Sequence, residues 1–213
     1  MIPIGDDNSD RLRTPIVNWL LVGINVFVFV VLQGMGSNER FTLAYATVPA
    51  EILTGRDVAQ PIPIRDEYGR VVARMDLEPT PISVYLTLLT AMFMHGSIAH
   101  LAGNMLYLWI FGDNLEHTLG RARYLFFYLA TGIAAGLAHI LANGASGVPS
   151  VGASGAISGI LGGYLLLFPR NRVRVLMGYY GVTAVPAYVM LGMWILLQFV
   201  SGVGEVARTE QTG

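Results

Sequence analysis

The chain contains no cysteine and no lysine, and it carries few charged residues. Without cysteine, disulfide bonds, thiolate metal sites and a cysteine nucleophile are excluded, although the redox compartment stays open. Charged residues make up 13% of the 213 residues, whereas soluble domains have roughly 25%. The arginines nearly balance the acids at a net charge of −1, so no basic stripe indicates nucleic acid as a partner. With 54% hydrophobic residues, these shortages indicate an integral membrane protein.

Long apolar segments recur along the chain, and a helix needs about 20 such residues to cross a bilayer. Arg11 and Arg13 precede the first segment and no small-residue cleavage site follows it, so we interpret it as an uncleaved signal anchor. The sequence therefore predicts an all-α, polytopic membrane helix bundle with five spans, at 16–33, 98–115, 124–141, 154–168 and 185–203. A cytoplasmic tail (1–15), a long outer loop (about 34–97) and an outer tail (204–213) complete the predicted organisation.

The placement of arginine predicts the orientation of these spans, because cationic loops stay on the cytoplasmic side of a membrane. Arg121 and Arg123 lie between the second and third predicted spans, and the loop 143–152 between the third and fourth carries no charge. After the fourth span come three further arginines, Arg170, Arg172 and Arg174. We therefore expect the N-terminus in the cytoplasm and the loop 143–152 on the outer side.

Three polar residues stand within or at the ends of these apolar segments. His100 and Asn104 are four residues apart at the start of the second span, so they project from one face of a helix. Ser154 lies in the sequence GASG at the outer end of the fourth span. Polar side chains at membrane depth cost a few kcal/mol to insert, which makes them candidates for a functional site. The predicted topology brings all three to a similar depth near the outer face.

A purely structural interpretation is open for the same residues. Small residues at a spacing of four often serve only to bring membrane helices close together. The fourth span has two such ridges, one formed by Ser154, Ser158 and Gly162 and the other by Gly155, Gly159 and Gly163. His100 and Asn104 are equally able to form an interhelical hydrogen-bonding pair.

A serine at a helix N-terminus also suits acyl transfer. The free N–H groups and the positive end of the helix dipole favour negative charge there, and preceding glycines let a substrate backbone approach. An imidazole and a carboxamide on a facing helix would add donors for an oxyanion. No H-E-x-x-H sequence is present, and His95 with His100 lacks a third ligand nearby, so we predict no metal site.

The sequence resembles the rhomboid intramembrane serine proteases of prokaryotic type, over most of the chain. The segments that carry the resemblance are MHGSIAHLAGNMLYLWIFGDNLE, LEHTLGRARY, VPSVGASGAISGILGGYLLLFPR and VPAYVMLGMWILLQFVSG. It implies that Ser154 is the nucleophile, and that His100 and Asn104 line the oxyanion hole with the Ser154 backbone N–H. Glu116 and Gly120 match a position that we interpret as structural. The resemblance further implies transmembrane protein substrates, a bacterial or archaeal cell membrane, and no cofactor.

The resemblance also implies a general base that these residues do not supply. In the family this base is a histidine on a sixth span, which packs against the small ridge of the fourth. His95, His100, His117 and His139 do not match that position, and a substitute role for His139 is a minor alternative. We therefore expect five spans of a six-span protein, and no activity from this chain alone. The competing interpretation is an inactive relative or fragment that binds membrane proteins without cleaving them.

Overall fold

The computed structural model describes residues 1–8, 13–58, 61–65, 68, 70–144 and 146–196. Over these residues the protein is mostly helical, as predicted. The helices are α1 (Ile16–Phe27, continued by a π-helix over Val28–Leu32), α2 (Glu39–Tyr45), α3 (Pro49–Thr54), α4 (Thr87–Thr90), α5 (Ile98–Leu119), α6 (Arg121–Ala142), α7 (Ser154–Leu167) and α8 (Ala187–Leu196). Short 3₁₀ turns extend α4 on both sides, so that Val84–Phe93 forms one helical segment.

In the described part of the chain five strands accompany the helices, so the fold is mostly helical but not purely α-helical as expected. They are β1 (Ile2–Gly5), β2 (Ile62–Arg65), β3 (Val71–Met75), β4 (Arg172–Leu176) and β5 (Val182–Pro186). β4 pairs antiparallel with both β1 and β5, and β2 forms a separate hairpin with β3. In β4 the arginines are exposed and Val173 and Val175 are buried, which is the period-two pattern of a half-buried strand. The arginine pattern alone predicts only a cationic loop for this stretch.

The predicted spans correspond to helices, with differences at their ends. Only α6 is long and apolar enough to qualify as a membrane-crossing helix among the described residues; the Val84–Phe93 segment and α5, bent by 79°, count as a second if taken together. The fifth predicted span begins in β5 before α8, and its residues 197–203 lie outside the described residues, as does the predicted outer tail. The count of five spans and the segment boundaries stay predictions.

Helix α7 packs between α5 and α6, and its two small-residue ridges have different surroundings. A β-carbon on Gly155 would come within 2.6 Å of Ala135 Cβ, and one on Gly159 would overlap Thr131. The third residue of that ridge, Gly163, faces Leu115 and Phe127. The other ridge is open among the described residues: Ser154 and Ser158 are exposed, and nothing lies within 4 Å of a β-carbon on Gly162.

Glu116 holds the first turn of α1 against α5. Its carboxylate oxygens accept hydrogen bonds from the backbone N–H groups of Val17 at 3.1 Å and Asn18 at 2.7 Å. A carboxylate suits this position because the first N–H groups of a helix have no partner within the helix. Gly120 then turns the chain from α5 into α6 with a φ of 79°, a conformation that favours glycine. These contacts are of the kind that a structural role requires.

The N-terminal strand is tied to the same end of the bundle through Asp6. Its Oδ2 atom accepts hydrogen bonds from the Tyr164 hydroxyl and from Asn114 Nδ2, both at 2.7 Å. Burial raises the pKa of the Asp6 carboxyl to about 6, and the nearby charge of Asp113 acts in the same direction. The C-terminal half of α7 is therefore bound to a segment that precedes the first helix.

Candidate active site

The loop before α7 is held in place by backbone hydrogen bonds to the segment between α1 and α5. Ser150 and Thr47 exchange both of their backbone hydrogen bonds, at 2.8 and 3.1 Å. Two residues further on, the Gly152 N–H donates to the Ala91 carbonyl at 2.9 Å. The position at which α7 begins is therefore fixed by contacts from two other parts of the chain.

Ser154 is the first residue of α7, and its side chain is exposed. No side chain caps this helix N-terminus. The N–H groups of the first turn consequently keep their capacity to bind negative charge. The Ser154 carbonyl accepts a hydrogen bond from the Ser158 hydroxyl at 2.7 Å, whereas the Ser154 hydroxyl makes no hydrogen bond with a side chain in the described part of the chain.

His100 lies directly beside the residues that precede Ser154. It stands in the first turn of α5, where the N-cap residue Ser97 accepts a hydrogen bond from the His100 N–H at 3.1 Å. A β-carbon built on Gly152 would be 3.0 Å from His100 Cε1, 3.1 Å from His100 Nε2 and 3.6 Å from Ser154 Oγ. Gly152 has a φ of 140°, so it also needs glycine for its conformation. The predicted proximity of His100 and Ser154 is therefore present in the fold.

Asn104 lies one turn further along α5 on the face that carries His100. Its Nδ2 atom is buried and, in the described residues, finds no hydrogen-bond acceptor. Buried amide donors without a partner are uncommon, because they lose their hydrogen bonds to water on folding. Asn104 thus has a buried donor that remains available to another acceptor, on the same face of α5 as His100.

His95 lies five residues before His100 and contacts it directly. Its ring is fully buried and packs edge-on against His100, with 5.1 Å between the ring centroids. Gln33 fixes its backbone, accepting from the His95 N–H at 2.9 Å and donating to its carbonyl at 3.0 Å. Burial, and secondarily the charge of His100, lowers the pKa of His95 to about 4, so His95 is neutral near pH 7. The polar Gln33 at the end of an apolar run is a sequence signal for a buried polar contact, but the sequence does not identify His95 as its partner.

A cavity of about 170 Å³ lies beside Ser154. It is bounded by the helical segment that contains α4, by α6 and by α7. Small residues form much of its wall, including Gly132, Ala135 and Gly155, and His139 of α6 also lines it. His139 is exposed, and its Nδ1 atom lies 3.4 Å from Asn143 Nδ2. The minor alternative of His139 as a base thus concerns a residue on the same cavity as Ser154.

Comparisons with known proteins assign the chain to a family. A family model for the Rhomboid domain matches residues 83–210, which is more than half of the chain. This region contains Ser154, His100 and Asn104. The chain belongs to the rhomboid family of intramembrane proteases, whose members are integral membrane proteins.

Individual relatives come from bacteria and from mitochondria. The chain is 46% identical over 85 residues to the rhomboid protease GluP of Bacillus subtilis, covering 40% of this chain and 16% of that protein. It is 35% identical over 103 residues to the mitochondrial rhomboid protein 1 of Saccharomyces cerevisiae, covering 46% and 30%. The human mitochondrial presenilin-associated rhomboid-like protein is 32% identical over 91 residues, covering 42% and 24%. The matches thus span less than a third of these relatives, and a bacterial or archaeal origin stays a prediction.

No solved structure matches this chain.

Proposed function

We propose that the chain is the membrane domain of an intramembrane serine endopeptidase that cleaves transmembrane proteins. Ser154 attacks the scissile carbonyl, and the resulting acyl-enzyme is hydrolysed by water without a cofactor. The observation that carries the proposal is the position of the His100 ring against Gly152 and next to the Ser154 hydroxyl, at the uncapped start of a helix.

The oxyanion that forms during the attack would lie between α5 and the first turn of α7. His100 and the unused donor of Asn104 approach it from α5, and the Ser154 backbone N–H approaches it from α7. Such donors are held in place before the reaction, so they stabilise charge without reorganising. Removal of one donor of this kind costs about 3–4 kcal/mol in other enzymes.

The general base is the missing part of this arrangement. We infer that it is a histidine on a further helix, equivalent to the sixth span of the family, packed against the open ridge of Ser154, Ser158 and Gly162. Two facts support this position. Ser154 and Ser158 are exposed and no described residue lies within 4 Å of a β-carbon on Gly162, whereas the adjacent glycine ridge is filled by α6 and α5. A helix there would face the Ser154 hydroxyl directly.

Hydrolysis requires water at Ser154, which the proposed topology provides. With the N-terminus in the cytoplasm, the three predicted spans before α7 place the loop before α7 and its cavity on the outer side of the membrane. Single cysteines introduced at Val148 and Arg172 of an otherwise cysteine-free protein test this orientation. An impermeant reagent added outside should label position 148 and leave position 172 unlabelled, and the reverse pattern would contradict the proposal.

The decisive experiment uses the chain extended by its native downstream sequence and reconstituted with a transmembrane substrate. Ser154→Ala should abolish cleavage while the thermal unfolding temperature is retained. Ser83→Ala is the matched control, because Ser83 is an exposed serine in the predicted outer loop. This variant should cleave normally. Unchanged cleavage by the Ser154→Ala protein would exclude this residue as the nucleophile.

A non-proteolytic relative that binds membrane proteins is the second candidate. The observation that favours it is that the Ser154 hydroxyl has no imidazole partner among the described residues. Such a protein would bind a transmembrane segment equally well with serine or alanine at position 154, and its extended form would show no cleavage by either version.

A further inference from the structure

A second cavity lies at the opposite end of the bundle from Ser154. It has a volume of about 330 Å³ and separates the start of α1 from the turn between α5 and α6. Its walls are formed by Arg13, Thr14 and Pro15 on one side and by Glu116, His117, Gly120 and Arg121 on the other. Nothing in the proposed proteolytic mechanism uses these residues.

The charge of this cavity is positive. Arg13 and Arg121 approach it from separate segments, and in the part of the chain that the structure describes neither guanidinium pairs with a carboxylate. Glu116 adds one negative charge to the cavity wall, and both of its oxygens accept hydrogen bonds from the N–H groups at the start of α1, so the two arginines leave a net positive charge. The Nδ1 atom of His117 is buried and has no hydrogen-bond partner among the described residues. Three nitrogen-bearing side chains thus surround one space.

The cavity lies where two apolar helices begin. Apolar residues of α1 start at Ile16, directly after the cavity residue Pro15, and α6 starts at Arg121. Guanidinium groups at such ends lie at the level of lipid headgroups. From Ile16 onwards, an exposed apolar groove of about 370 Å³ follows one face of α1, lined by Ile16, Trp19, Leu20, Gly23, Ile24 and Phe27.

We propose that this cavity binds the phosphate of an anionic phospholipid, whose acyl chain lies along the groove of α1. Arginine matches the geometry of a phosphate with two parallel N–H donors. Basic cavities between membrane helices are suited to acidic headgroups, since two cations attract a negative lipid more strongly than a zwitterionic one. The apolar groove favours a lipid over free phosphate, because only a lipid fills both spaces.

Native mass spectrometry of the purified full chain tests this site. The protein is titrated with phosphatidylglycerol and with phosphatidylcholine of identical acyl chains. We expect tighter binding of phosphatidylglycerol to the wild-type protein. The double variant Arg13→Gln/Arg121→Gln should bind phosphatidylglycerol on the order of tenfold to thirtyfold more weakly, with little change for phosphatidylcholine.

The matched control is Arg123→Gln/Arg172→Gln, which removes the same charge from exposed arginines outside the cavity. It should keep the preference for phosphatidylglycerol, and equal losses in both double variants would reduce the effect to general surface charge and overturn the site. Inorganic phosphate is a further probe: if it displaces phosphatidylglycerol at equal concentration, the cavity is a free-phosphate site and the lipid proposal is wrong.

A photoreactive phosphatidylglycerol gives a test without substitutions. Crosslinks should map to the peptides around Arg13 and Arg121, and crosslinks confined to other helices would contradict the proposal.

Discussion

The imidazole of His100 lies so close to Gly152 that a β-carbon on Gly152 would come within 3.0 Å of His100 Cε1. The φ of 140° at Gly152 adds a second reason for glycine, because other residues rarely adopt it. Gly152→Ala should therefore displace the ring from the proposed oxyanion hole. In the extended protein we expect a loss in kcat on the order of 100-fold, the scale found on removing one oxyanion donor.

Cleavage rates and thermal unfolding are measured together for this variant. Gly192→Ala in α8 is the control, because nothing lies within 4 Å of a β-carbon at that position. Full activity of the Gly152→Ala protein would mean that the reaction does not require the His100 ring to lie against Gly152.

The two ridges of α7 should differ in their tolerance of large side chains. In the 213-residue chain, Gly159→Leu forces a bulky group into Thr131 of α6, and overpacking of this kind typically costs about 1–3 kcal/mol. Gly162→Leu, on the open ridge of the same helix, should cost much less. Thermal unfolding in detergent measures both.

In the extended protein, the expected tolerance of Gly162→Leu changes. If a sixth span packs on the open ridge, Gly162→Leu should become destabilising there as well. Equal tolerance at positions 159 and 162 in the short chain would show that our account of the α6 contact is wrong.

Helix positions were predictable because a long run of apolar residues is visible from consecutive residues alone, without knowledge of distant contacts. The predicted second and third spans lie within α5 and α6, and α7 begins at Ser154 as expected. Their ends differed by a few residues, since Gly120 allows α5 and α6 to extend to a sharp turn between them. The three-stranded sheet was missed because β4 pairs with β1, which lies some 170 residues away in the chain.

The residues of the candidate site also fall into two groups, those placed by local helix spacing and those whose contacts depend on distant segments. The spacing of His100 and Asn104 predicts a shared helix face, and the structure shows the first beside Ser154. The roles of Gln33 and His95 were not predictable, because their contact depends on how the end of α1 meets the bend before α5. The contacts of Asp6 were equally unpredictable, because its partners Asn114 and Tyr164 lie far away in the chain, on α5 and α7.

Asp6 should make stability depend on pH. Folding raises the pKa of its carboxyl from 3.8 to about 6, so the folded protein holds this proton more tightly than the unfolded chain. The stabilisation by the bound proton is complete below about pH 4 and is lost as the pH rises through about 6. Asp6→Asn should flatten this part of the curve and leave the protein at least as stable at pH 8.

Thermal unfolding between pH 4 and 8 measures the effect, with Asp76→Asn in the outer segment as the control for the loss of one charge. The pKa of Glu51 is also raised by burial, so a residual slope of the same sign is expected in both proteins. An unchanged slope in Asp6→Asn would show that burial does not raise the pKa of the Asp6 carboxyl in the folded protein.

The last prediction concerns the general base. A serine hydroxyl at its ordinary pKa is a poor nucleophile without a base to take its proton. We therefore expect the 213-residue chain to leave a transmembrane substrate intact and to react negligibly with a fluorophosphonate probe. If the native downstream sequence adds a sixth span with a histidine near its outer half, the extended chain should label at Ser154, and alanine in place of that histidine should abolish labelling. His139→Ala is the discriminating variant, because His139 lines the cavity beside Ser154. If the short chain labels at Ser154 and this substitution removes the label, His139 is the base and the proposed role of the sixth span is wrong.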